Sequence, residues 1–249
     1  MTAPRGSALV TGGSRGIGAV TCVRLAHAGF DVAFTYRNKA ARADQVASAI
    51  TAAGAAALPL RCDITAGADI ARAVEELRSL GSPLRVVVLN ASGGLERDLI
   101  AADADYPMHI NRDAQLAVLD AVAPLLESGA TVVFVTSHWA HLYGRVAQLP
   151  QYEPVARSKR AGEVALRERA PALGLRLLVV TGDLVEGTIT AKLLERADPS
   201  VGALRTNAEH RLPSIGDMAN AVVTSVLDER LPSGHTVVVG RELATLGII

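Results

Sequence analysis

Short, almost continuous apolar runs alternate along the chain with longer stretches of helical character. The runs are Ala8–Thr11, Asp31–Thr35, Ala56–Arg61, Arg85–Asn90, Thr131–Thr136, Arg176–Thr181 and Thr236–Val239. Strands covered on one face alternate apolar and polar residues; strands covered on both faces do not need to. Helices are expected over Gly16–Ala28, Ala40–Ala53, Asp69–Leu80, Asp113–Leu126, Pro154–Leu173 and Ser214–Leu227. Gly29, Gly54, Gly81, Gly129 and Gly174 fall where these helices should stop, the position at which a left-handed residue closes a helix. Strand–helix alternation at this spacing implies right-handed βαβ crossovers and a doubly wound, seven-stranded parallel sheet with helices on both faces. No repeat, linker or low-complexity tract interrupts it, so residues 1–249 read as one α/β domain.

Composition narrows the class further. The chain has 249 residues, 49% hydrophobic, with 25 basic and 25 acidic side chains. That is enough apolar material for a full core and excludes a disordered chain. Zero net charge without a Lys/Arg block argues against a nucleic-acid or anionic-membrane partner. Cys22 and Cys62 make no disulfide framework, and no Cys/His cluster has zinc spacing, so no metal is expected. No apolar run is long enough to span a membrane, and no apolar leader precedes the first strand. A cytoplasmic setting is expected. Aromatics are scarce: three Phe, four Tyr and one Trp. Phe134, Trp139, Tyr143 and Tyr152 nevertheless fall close together, where they would serve a pocket better than a core.

The first chemical signal follows the first strand. Thr11-Gly12-Gly13-Ser14-Arg15-Gly16-Ile17-Gly18 opens a helix. A dinucleotide pyrophosphate needs close backbone approach and the free N–H groups of a helix N-terminus, and this turn offers both. The spacing is Gly-x-x-x-Gly-x-Gly rather than Gly-x-Gly-x-x-Gly.

With this turn the sequence resembles the short-chain dehydrogenase/reductase family, over nearly the whole chain. The turn matches the family's Thr-Gly-x-x-x-Gly-x-Gly. Asn90-Ala91-Ser92-Gly93 stands for its Asn-Asn-Ala-Gly, and Ser158-Lys159 for the Ser-Lys of its catalytic helix. The resemblance implies a Rossmann-type fold. It places cofactor contacts at Gly12, Ser14, Arg15, Gly16, Ile17 and Gly18. Further contacts are expected from Tyr36 and Arg37, Asp63 and Ile64, Asn90, Ala91 and Ser92, and Lys159. After the sixth strand, Gly182, Val185 and Thr188 loosely fit the family's carboxamide-binding segment, although its Pro is missing. The family also implies a homodimer or homotetramer.

The second strand ends Phe34-Thr35-Tyr36-Arg37-Asn38-Lys39, with no acid to hold two ribose hydroxyls. Arg15 and Arg37 suit a 2′-phosphate instead, because a guanidinium binds phosphate through a forked, charge-assisted contact. NADP(H) is the expected cofactor.

The family's common branch uses Tyr-x-x-x-Lys, but the residue four before Lys159 is Val155. Tyr152, seven before Lys159, has the spacing of the family's enoyl-thioester reductases. In conjugate reduction charge develops on an oxygen remote from the carbon that takes hydride, so a displaced donor fits that chemistry. The expected roles are Tyr152 as proton donor, Lys159 on the nicotinamide ribose, Ser137 orienting a carbonyl and, as the resemblance implies, Asn111 anchoring a water chain. Trp139 and Tyr143 are expected at the substrate, with Tyr143 a second candidate acid. A substrate lid is expected over 187–212, where Arg196, Arg205 and Arg211 are available to an acidic carrier. The expected function is NADPH-dependent reduction of an enoyl thioester; the alternatives are reduction of a 3-oxoacyl-thioester or polyketide ketone and, after it, a cofactor-binding protein without catalysis. The first two take a small-molecule or acyl-thioester substrate.

Overall fold

The computed structural model describes residues 5–197 and 212–245. Seven parallel strands form one sheet in the order β3-β2-β1-β4-β5-β6-β7. They are β1 (Ser7–Val10), β2 (Asp31–Tyr36), β3 (Ala57–Arg61), β4 (Leu84–Leu89), β5 (Leu126–Ser137), β6 (Arg176–Gly182) and β7 (His235–Val239). The expected strands are all present.

The apolar runs are continuous because successive residues feed two different cores. Along β5, Val132 and Phe134 pack on one face, with helices α3 (Gly67–Leu77), α6 (Ala114–Val122) and α8 (Glu153–Ala172). Val133 and Val135 pack on the other, with α1 (Gly16–His27), α2 (Ala40–Ala52) and α10 (Ile215–Leu227). A strand's period of two sends neighbours to opposite sides, so a sheet covered twice needs apolar residues at every position.

Strand order reverses between β1 and β4, and a crevice opens there at the carboxyl ends of the strands. Its two lips are tied together. Thr11 Oγ1 accepts from the backbone N–H groups of Asn90 and Ala91, at 2.9 and 3.0 Å, and Asn90 Nδ2 donates to the Thr11 carbonyl at 3.0 Å.

Two expectations about boundaries change. Gly29, Gly54, Gly81 and Gly174 adopt positive φ, as helix-ending residues should. Gly129 also has positive φ, but it lies inside β5, in the bulge between Leu126 and Thr131, not after a helix. The helix expected over 113–126 stops at Val122 and tightens into a 3₁₀ turn, Ala123–Leu125. Pro124 has no N–H to continue the ladder. Upstream, that helix starts as α5 (Tyr106–Met108) and passes through a π-helical turn, His109–Asp113. Three short helices had no periodicity to announce them: α4 (Arg97–Ala102), α7 (His138–His141) and α9 (Ile189–Ala197).

Candidate active site

A cavity of about 750 Å³ runs along the carboxyl ends of the strands, from the end of β2 to helix α9. The glycine-rich turn forms one wall. A Cβ on Gly18 would overlap the Gly12 carbonyl oxygen, so this position holds the turn tight against its helix. Gly16 has φ +55° and open space where its Cβ would stand. That is a cradle a side chain would fill. Arg15 precedes α1 without a side-chain cap bond, so the cap residue leaves the first-turn N–H groups to other partners. These features fit a dinucleotide pyrophosphate.

Beyond the end of β2 the cavity is lined by Arg15, Arg37, Lys39 and Arg42. Burial lowers the Arg15 pKa; the nearby Glu96 charge opposes this, and Arg42 and Arg37 add to it. Three guanidinium groups therefore share one field. Arg37 Nη1 donates to the Tyr106 hydroxyl at 3.4 Å and lies 4.0 Å from Asp63. This surface suits a phosphate better than a bare ribose.

At the opposite end, Ser137 closes β5 and Tyr152 stands at the mouth of α8. The Tyr152 hydroxyl donates to Ser137 Oγ at 3.0 Å. Ser137 Oγ also accepts from the Ala140 N–H at 3.2 Å, capping α7. The serine oxygen thus accepts twice, and its own hydrogen is left to donate. Tyr152 is buried; desolvation raises its pKa, and the Ser137 contact only partly opposes this. Its hydroxyl therefore keeps its proton at neutral pH. Trp139 meets it edge-on, with ring centroids 5.8 Å apart.

Lys159 is buried in the same cavity. Its Nζ donates to the Val135 carbonyl at 3.0 Å and lies 5.8 Å from the centre of the Phe134 ring. Desolvation brings its pKa down to about 8. Asn111 sits in the π-helical turn, where Nδ2 donates to the Gly93 carbonyl at 2.9 Å and Ser158 Oγ at 3.0 Å. Its amide is spent on joining the loop after β4 to α8.

The cavity brings together Tyr152, Lys159, Ser137 and Trp139 with Gly12, Ser14, Arg15, Gly16, Ile17, Tyr36, Arg37, Asp63, Ile64, Asn90, Ala91, Ser92, Val185 and Thr188. Gly18, Asn111 and Gly182 stand behind its wall. Gly182 lies against Met218 of α10, whose sulfur occupies the place of a Cβ. Tyr143 is outside the cavity lining; its hydroxyl donates to Glu153, the principal cause of its raised pKa. The lid expectation is covered in part. Ile189, Thr190, Lys192, Leu193 and Leu194 line the cavity from α9. Residues 198–211, with Arg205 and Arg211, lie outside the described residues.

Several lining residues carried no sequence signal. Arg42 sits exposed in the first turn of α2, where nothing in the local pattern marks it. Glu96 bends back so that Oε2 accepts from the Gly94 and Leu95 N–H groups, at 2.8 and 3.1 Å. Leu95 and Leu184 form apolar wall, together with Val155 at the place four before Lys159. Among the described residues no group of three His, Cys, Asp or Glu is placed to hold a metal ion, and no described helix is long and apolar enough to cross a membrane.

Comparison with known proteins agrees with this geometry. The family profile described as short chain dehydrogenase matches residues 7–153, more than half of the chain. A hydroxynaphthalene reductase-like protein of Metarhizium majus is 30% identical over 176 residues, spanning 70% of this chain and 64% of that protein. A short chain dehydrogenase from Burkholderia cenocepacia, solved in complex with NADP, superposes with a TM-score of 0.80 at 27% identity, covering 98% of this chain and 99% of that one. A promiscuous reductase of keto-reduction in lugdunomycin biosynthesis gives a TM-score of 0.77 at 25% identity, covering 96% and 97%. The chain belongs to the short chain dehydrogenase family, a family of oxidoreductases.

Proposed function

We propose that the chain is an NADP(H)-dependent reductase of a carbonyl group. The observation that carries this is the Tyr152–Ser137 pair. Two hydroxyls 3.0 Å apart can converge on one oxygen, and Ser137 retains a free hydrogen for it. A carbonyl that takes hydride at carbon develops its charge on the directly bonded oxygen, so paired donors at one point match that need.

Arg15, Arg37 and Arg42 hold the 2′-phosphate, and the N–H groups of the glycine-rich turn hold the pyrophosphate. Asp63 and Ile64 flank the adenine end, and Val185 and Thr188 the carboxamide end. NADPH, when bound, supplies the hydride. Tyr152 gives its proton to the carbonyl oxygen, Ser137 donates a hydrogen bond to the same atom, and Lys159 holds the ribose. The NADP and keto-reduction described for the structural relatives support this reading.

The seven-residue separation of Tyr152 from Lys159 favours a second reading, enoyl-thioester reduction. A pseudoenzyme is disfavoured by three retained polar groups in one cavity. NADPH oxidation separates them when tested on a bicyclic ketone, acetoacetyl thioester and crotonyl thioester. Turnover of the ketones, with the Tyr152→Phe chain slower by at least about a hundredfold, is expected. Turnover of crotonyl thioester alone would establish the enoyl reading. Tight NADPH binding without any turnover would establish the pseudoenzyme.

A further inference from the structure

We infer that Glu163 is a positioning residue for the Ser137–Tyr152 pair, acting through His141 and helix α7. The inference rests on the carbonyl-reduction reading of that pair.

Glu163 lies in α8, one turn beyond Lys159, and its side chain is fully buried. A carboxylate out of contact with water is costly unless donors surround it. Here they do. Arg160 Nη1 and Arg167 Nε donate to Oε1 at 3.0 and 2.9 Å, and His141 Nδ1 donates to Oε2 at 2.9 Å. Burial pushes the carboxyl pKa up, but these partners outweigh it and hold Glu163 below its ordinary value. His141 is foremost among the groups that hold the carboxylate charged, and the same bond has a geometric consequence.

The carboxylate is a fixed point. Arg167, besides meeting Glu163, donates to the Gly234 carbonyl at 2.7 Å and to Thr236 Oγ1 at 2.9 Å, which fastens α8 to β7. His141 is the last residue of α7, and Ser137 is that helix's N-cap. A helix of four residues moves as one piece. Its far end is held by Glu163, and its near end presents the Ala140 N–H to Ser137 Oγ. Before substrate binds, that N–H and the Tyr152 hydroxyl together occupy the acceptor side of the serine; once Tyr152 turns its hydrogen to the carbonyl, the Ala140 N–H alone keeps the serine hydrogen directed outward. Loss of the Glu163–His141 bond releases α7 and the Ala140 N–H with it, and the serine hydroxyl becomes free to rotate. No group on Glu163 needs to approach the substrate.

A double-mutant cycle tests this. Glu163→Gln, Ser137→Ala and the double variant are compared by NADPH oxidation with the ketone that the native chain turns over. Glu163→Gln should lower kcat about tenfold while the KM for NADPH stays within about twofold. In the Ser137→Ala background the same substitution should cost less than about twofold, because its effect passes through the serine. His141→Asn, which keeps a donor, should retain more activity than His141→Leu. Should Glu163→Gln fail to fold, the two His141 variants carry the same cycle. An equal loss in both backgrounds overturns the inference, as does a loss accounted for entirely by a lower fraction of chains that bind NADPH. No carbonyl turnover by the native chain would overturn the carbonyl reading, and this inference with it.

Discussion

Lys159 titrates at about 8 in the folded chain, against an ordinary 10.5, because burial penalises its ammonium. Between those values the unfolded chain binds more protons than the folded one, so stability rises with pH across that window. Below about 8 the full penalty is present, on the order of 3 kcal/mol. The fold therefore carries this lysine at a cost to its own stability. Lys159→Met should abolish turnover yet be more stable at pH 7 by roughly 1–3 kcal/mol, and so unfold at a higher temperature. The gain should shrink as pH rises from 8 to 10.5. Thermal unfolding at pH 7 and 10.5 checks this; a destabilised variant at pH 7 would contradict it. At this scale the sequence was informative about identity and less so about contact. Tyr152, Lys159 and Ser137 stood out by type and spacing. That the tyrosine hydroxyl would meet Ser137 depended on a connection of fourteen residues, 138–151, with the short helix α7 inside it, whose path no periodicity encodes.

Elements were legible where one face or both are covered along a regular period. The glycine-rich turn is the sharpest case, and two of its glycines should fail in different ways. Gly18→Ala drives a Cβ into the Gly12 carbonyl and close to Asn90 Nδ2. It should cost more than about 2 kcal/mol of stability, since the Gly12 backbone cannot yield and the Asn90 amide is tied to the Thr11 carbonyl. Gly16→Ala meets no atom within 4 Å but must hold φ near +55°, a strain of about 1 kcal/mol. Its chief effect should be weaker NADPH binding, because the new methyl enters the cavity. Thermal unfolding and NADPH titration of both variants distinguish the two; equal stability losses would contradict the assignment. The elements that went unread are short or irregular. Helix α7 has four residues and is stabilised by its Ser137 cap and by Glu163 from another helix. The π-helical turn is held by Asn111 reaching Gly93 and Ser158. Such stabilisation comes from partners distant in sequence, so local pattern does not reveal it.

Across the whole molecule, buried polar groups set the acid limit. His138 lies under the site, its Nδ1 paired with Thr181 Oγ1 at 3.0 Å, and burial lowers its pKa to about 4. An unfolded histidine titrates near 6.5, so the unfolded chain takes up a proton first as pH falls. Stability present above 6.5 should be lost progressively down to about 4, by about 3 kcal/mol. Denaturant unfolding at pH 7, 5 and 4 measures it, and His138→Asn should flatten the slope. An unchanged slope would assign the acid sensitivity elsewhere.

The sequence by itself determined the doubly wound sheet, because a sheet buried on both faces demands unbroken apolar strands and leaves few alternatives. It also determined the glycine-rich cradle and the absence of an acid after β2, since both depend on residue type at a fixed place. Only the tertiary structure decided that Arg42 joins Arg15 and Arg37, that Tyr143 turns away to Glu153, and that Tyr152 meets Ser137. Each of these unites residues from different elements. Their proximity follows from how helices and loops pack on the sheet, a property of the assembled molecule that no local pattern carries.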